Sequence, residues 1–92
     1  MLSMRTTDSQ IETTGELSLA ALRVGARARV IAVRGSGAVA RRLMEMGVVP
    51  GARVRVIKAA PLGDPIEVRV RGYHLALRRA EAQSITVIMT DE

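Results

Sequence analysis

Seven residues, Gly25-Ala-Arg-Ala-Arg-Val-Ile31, return as Gly51-Ala-Arg-Val-Arg-Val-Ile57, with six of the seven positions identical. Each copy is a glycine turn followed by strict alternation. Apolar residues take one face and arginines the other, the period of a half-buried strand. In the first copy Ala28, Val30 and Ala32 share the inner face, with Arg27 and Arg29 outward. A repeat this short cannot stack into a solenoid. It predicts two strands leaving equivalent turns, as in a small barrel.

Between the copies lies the one good helix pattern of the chain. Arg34-Gly-Ser-Gly37 breaks the first strand, and Ser36 is placed to cap the helix that follows. Within Ala38–Met46, Val39, Leu43 and Met46 recur at helical spacing, while Arg41, Arg42 and Glu45 face away. Met44 and Met46 are expected to fill core space with a soft contact edge. Gly47 stands where a left-handed residue closes a helix. Pro50-Gly51 then turns the chain into the second copy. A small barrel closes without such a helix, so the helix is expected to lie outside the barrel plan.

The rest of the chain supplies the remaining strands. Met1 to Glu16 is polar and aperiodic and reads as a disordered tail. Leu17, Leu19 and Leu22 form an apolar anchor after it. Arg53–Ala59 and Ile66–Arg71 make the clearest hairpin, joined by Ala60-Pro-Leu-Gly-Asp-Pro65 with both prolines flanking the tip. Gly72 makes the next turn, Tyr73–Leu77 a short strand, Arg78–Ala82 a helical turn, and Ile85–Met89 the closing strand. The expected fold is mainly β: a small, partly open, SH3-like barrel of about five strands with one inserted α-helix. Its domain runs over residues 17–89, with a short tail at 90–92.

Composition narrows the function. Ninety-two residues make one domain. Tyr73 is the single aromatic, so the core is aliphatic; with no cysteine, disulfides and thiol catalysis are excluded. No apolar run reaches the roughly 18 residues of a membrane span, and residues 1–16 lack the apolar stretch of a secretory signal. A cytoplasmic protein is expected. The charge is uneven: residues 17–90 hold 13 Lys/Arg against Glu45, Asp64, Glu67 and Glu81, for +9, while each end contributes −2. Such a body favours nucleic acid, an anionic membrane surface or an acidic protein face.

Catalytic chemistry is not in sight. The lone His74 has no nucleophile and orienting acid arranged around it, so the chain is not expected to be an enzyme. A metal site needs three or four converging ligands; His74 with Asp64 or Glu67 is the best partial set. No cofactor is expected, and ferrous iron finds no ligand cluster. The glycines lack the Lys-Ser/Thr ending of a phosphate loop. The arginine pairs 27/29, 53/55 and 69/71 are either a solvated outer face or an electrostatic docking face. One tyrosine is too few for the stacking platforms of single-strand binders, though phosphate-only binding remains open.

Three stretches together resemble one family: Arg42-Leu-Met-Glu-Met-Gly-Val-Val-Pro-Gly51, Ala60-Pro-Leu-Gly-Asp-Pro-Ile-Glu-Val-Arg-Val-Arg-Gly-Tyr73, and Leu75-Ala-Leu-Arg-Arg-Ala-Glu-Ala82 with Ile85-Thr-Val87. Leu17-Ser-Leu-Ala-Ala-Leu-Arg-Val-Gly25 matches the same family's opening. The chain resembles FeoA-type ferrous-iron-transport proteins over residues 17–89. The resemblance implies an SH3-like barrel and a small cytosolic accessory of bacterial ferrous-iron uptake. Its implied partner is a FeoB-type membrane transporter, through the cytoplasmic GTP-binding domain. Contact with the membrane is expected only through that transporter, and no specific nucleic acid is expected. The candidate docking residues are Arg41, Arg42, Glu45 and Met46 of the helix and Pro61, Leu62 and Asp64 of the proline-flanked loop. Two other readings stand beside this one: a basic nucleic-acid-binding domain, and a direct metal sensor using His74.

Overall fold

The computed structural model describes residues 15–35 and 37–90. Residues 1–14 of the tail expected over 1–16 and the cap assigned to Ser36 lie outside these residues, as do residues 91 and 92. The described residues form one antiparallel sheet of six strands in the order β1-β6-β2-β3-β4-β5. The strands are β1 (Glu16–Ser18), β2 (Arg27–Val33), β3 (Arg53–Ala59), β4 (Ile66–Val70), β5 (Tyr73–Leu77) and β6 (Ile85–Met89). Helix α1 (Gly37–Glu45) separates β2 from β3, and the short α2 (Arg79–Gln83) separates β5 from β6.

The structure has one strand more than the sequence predicts. Glu16, expected in the tail, opens β1, which pairs with β6 at Leu17↔Val87. Leu19, within a single 3-10 turn directly after β1, is buried in the core. The anchor is thus half strand and half turn. Its three-residue strand is too short to carry an alternation signal.

The two copies of the repeat are each other's partners. Strands β2 and β3 pair at Arg27↔Arg55, Ala28↔Val54 and Arg29↔Arg53. The turns before them cross-bond in the same way. Gly25 N–H donates to Val56 O at 2.7 Å, and Gly51 N–H donates to Val30 O at 2.7 Å. Val30 N–H donates to Ala52 O, and Val56 N–H to Ala26 O. A local two-fold axis therefore passes through the Ala28↔Val54 pair.

Alternation sends Val54, Val56, Val68, Val70, Ile85 and Val87 inward to an aliphatic core, as the composition requires. It fails where the register shifts. Between Val30 and Ala32 the pairing of β2 with β6 slips, so Ala32 is only half-buried.

Helix α1 ends as its sequence dictates. Gly47 N–H donates to Met44 O, and Val48 N–H to Leu43 O, both at 3.0 Å, the paired bonds of a left-handed glycine stop. Gly47 has φ +101°, and a Cβ there would lie 3.4 Å from Arg71 Cδ. Leu43 and Val48, brought together by this stop, are both fully buried. The expectation that the helix stands outside the barrel plan is therefore corrected: its last turn is part of the core. Its first turn is not. Val39, expected on the buried face, is 46% exposed, and Met44 is 49% exposed, while Met46 packs against the core. The helix leaves the sheet at its N-terminal end, so only the residues near Gly47 reach the core.

Candidate functional site

Two expected docking elements, the helix and the proline-flanked loop, meet on α2. Arg42 on α1 forms an ion pair with Glu81 on α2. Glu81 Oε1 also accepts from the backbone N–H of Arg78 at 2.9 Å, closing the first turn of α2. Its side chain is 11% exposed, against 60% for Arg42. On the other side, Asp64 Oδ1 accepts from the backbone N–H of Arg79 at 3.2 Å. The chain of contacts Arg42–Glu81–Arg78, then Arg79–Asp64, makes one continuous corner of α1, α2 and the loop.

This corner separates the expected site residues by role. Arg42 and Asp64 are held in internal bonds, whereas Arg41, Glu45 and Pro61 are exposed. Met46 is half-buried against the core. Leu62 is the conspicuous member, 99% exposed with φ 70° and ψ 8°. A leucine in the left-handed region costs roughly 1–2 kcal/mol. No burial offsets that cost, so an apolar side chain is presented to solvent on a constrained turn. Val39 and Met44 on α1 are exposed apolar residues as well.

The metal candidates do not converge. Asp64 is taken by α2, Glu67 lies 3.8 Å from Lys58, and His74 stands directly opposite Arg69. Among the described residues no three His, Asp or Glu side chains come together. No helix of the described residues is long and apolar enough to cross a membrane.

A second feature involves the arginine pairs read from the sequence as a solvated outer face or an electrostatic docking face. The three arginine pairs form an array through the sheet register. Arg27, Arg55, Arg69 and His74 are successive cross-strand partners on β2, β3, β4 and β5. Arg29 and Arg53 form a second row. Arg71, at φ 53° in the tight β4–β5 turn, lines a shallow groove with Arg53, Arg55 and Arg69. Like charges directly opposite one another destabilise a sheet by a few tenths to about 1 kcal/mol per pair. The repeat was the signal for this: once its copies are known to pair with each other, arginine must face arginine.

Comparison with known proteins places these features in a family. The FeoA domain model matches residues 17–89. A Porphyromonas gingivalis Fe(2+) transport protein A/Fe(2+) transporter FeoB fusion protein is 38% identical over 71 residues, 77% of this chain and 8% of that protein. The chain thus spans a small fraction of the length of this curated relative. The solution structure of FeoA from Chlorobium tepidum has 49% identity and a TM-score of 0.77, covering 83% of this chain and 74% of its own. Stenotrophomonas maltophilia FeoA, a prokaryotic SH3 domain protein solved with zinc, has 36% identity and a TM-score of 0.69, covering 77% and 88%.

Proposed function

Because the chain belongs to the FeoA domain family, whose members are associated with ferrous-iron transport, we propose that it binds and modulates a FeoB-type transporter as a small cytoplasmic accessory. The observation that carries this reading is the Porphyromonas gingivalis relative, in which a segment like this chain and a FeoB transporter share one polypeptide. Covalent linkage of two functions gives them a high effective concentration for each other, which is useful only when they act together. The partner element is the transporter's cytoplasmic GTP-binding domain, and the docking surface is the α1–α2–loop corner. Support for the corner comes from Leu62, an apolar group fully exposed on the loop whose Asp64 is bonded to Arg79. An apolar anchor ringed by charge is the usual anatomy of a protein interface.

Calorimetric titration of the chain into the isolated GTP-binding domain of the cognate transporter tests this. Binding is expected, weakened at least tenfold by Leu62→Asn or Arg41→Glu, about 1.4 kcal/mol. Arg42 is not a clean probe, since its substitution also frees Glu81. Absence of binding in every nucleotide state overturns the proposal.

A further inference from the structure

We propose that the arginine face of the sheet docks on an anionic lipid bilayer, through the phosphate groups of its headgroups. The face is built by the register: Arg27, Arg55 and Arg69 in one row continued by His74, and Arg29 and Arg53 in the next. Arg71 extends it at the β4–β5 turn. All six arginines and His74 are exposed. Neighbouring strands are about 4.8 Å apart, so each arginine of a row stands within one Debye length of its cross-strand arginine partner. Nothing in folding asks for this arrangement, since uncharged polar residues would keep the outer face wet without the repulsion. The ion pairs Arg42–Glu81 and Lys58–Glu67 engage none of Arg27, Arg55 and Arg69. Glu67 is on the same face but is drawn toward Lys58.

The shape of the array selects its occupant. A single nucleic acid strand offers one line of phosphates and is held by aromatic stacking as well as charge. This array extends in two directions. The chain's one aromatic is not in it: Tyr73 pairs with the inward-facing Val70. A bilayer offers a field of phosphates without bases to stack, and a two-dimensional set of guanidinium groups matches it. The inference is independent of the transporter reading, because the surface it names is on the sheet rather than on the α1–α2–loop corner.

Sedimentation of the full chain with vesicles tests it in the absence of any protein partner. Partition into phosphatidylcholine–phosphatidylserine vesicles is expected, with little into phosphatidylcholine alone, and it should fall as salt is added. Each arginine near an anionic surface is expected to contribute about fivefold. The combined Arg27→Gln, Arg55→Gln and Arg69→Gln variant should therefore partition about a hundredfold less. Arg41→Gln should be unchanged. The triple variant relieves repulsion, so it should melt no lower than the parent, and this is checked on the same sample. Equal partition into neutral vesicles, or a triple variant that still binds, overturns the proposal. So does tighter binding, at the same salt, to poly-uridylate, duplex DNA or polyglutamate, each of which would give the face to that class of partner instead.

Discussion

The two charged regions of this molecule use arginine in opposite ways. At the α1–α2–loop corner, charge builds structure: Arg42 meets Glu81, Glu81 closes the first turn of α2, and Asp64 holds its start. On the sheet, Arg27, Arg55 and Arg69 face one another across neighbouring strands, and their charge opposes the pairing that places them. A paired charge is accounted for by the fold. A row of like charges is not, and has to be accounted for by something outside it. Sequence counts such as +5 merge the two classes; the register separates them.

The contrast can be broken from either side. The largest effect is expected at the corner's root. Leu43→Ala removes a fully buried side chain where α1 enters the core and should cost about 2–5 kcal/mol in urea unfolding. A loss below about 1 kcal/mol would detach the corner from the core. Next comes Glu81→Ala, which removes both the closure of α2 and the partner of Arg42, for about 1–2 kcal/mol. A double-mutant cycle with Arg42→Ala should return a favourable coupling; zero coupling would make the corner's charges no more structural than those of the sheet. Leu62→Asn should raise stability by up to about 1 kcal/mol, because asparagine tolerates the left-handed region, while weakening transporter binding. The smallest effect belongs to the sheet. Arg55→Thr stands between two arginine partners and should stabilise by roughly 0.5 kcal/mol at low salt, a gain that fades as salt screens the pairs. A destabilised Arg55→Thr would place a structural duty on the array.

Much of the fold was legible because it rests on local rules. Alternation gave the β2, β3 and β4 faces, and the Gly47 stop closed α1 one residue from the expected end. What escaped is what depends on distant partners. β1 has three residues and exists because β6 offers an edge. Helical spacing put Val39 inward, but spacing fixes a face and not how far along the helix the sheet extends. Arg42 looked free because its partner lies 39 positions away. The arginine rows needed only one further step, since a repeat whose copies pair antiparallel must set like against like. Of the expected docking residues, the structure leaves Arg41, Glu45, Pro61 and Leu62 exposed and ties Arg42 and Asp64 internally.

The local axis also explains the one place where the copies disagree. Segments related by a half-turn set equivalent positions of the repeat against each other only at the axis itself. There, two valines would crowd and two alanines would leave a gap. The pair on the axis is Ala28 and Val54, the single position of the seven at which the copies differ. One small and one large side chain fill that space together. The duplication is broken where perfect symmetry would have been a problem of volume.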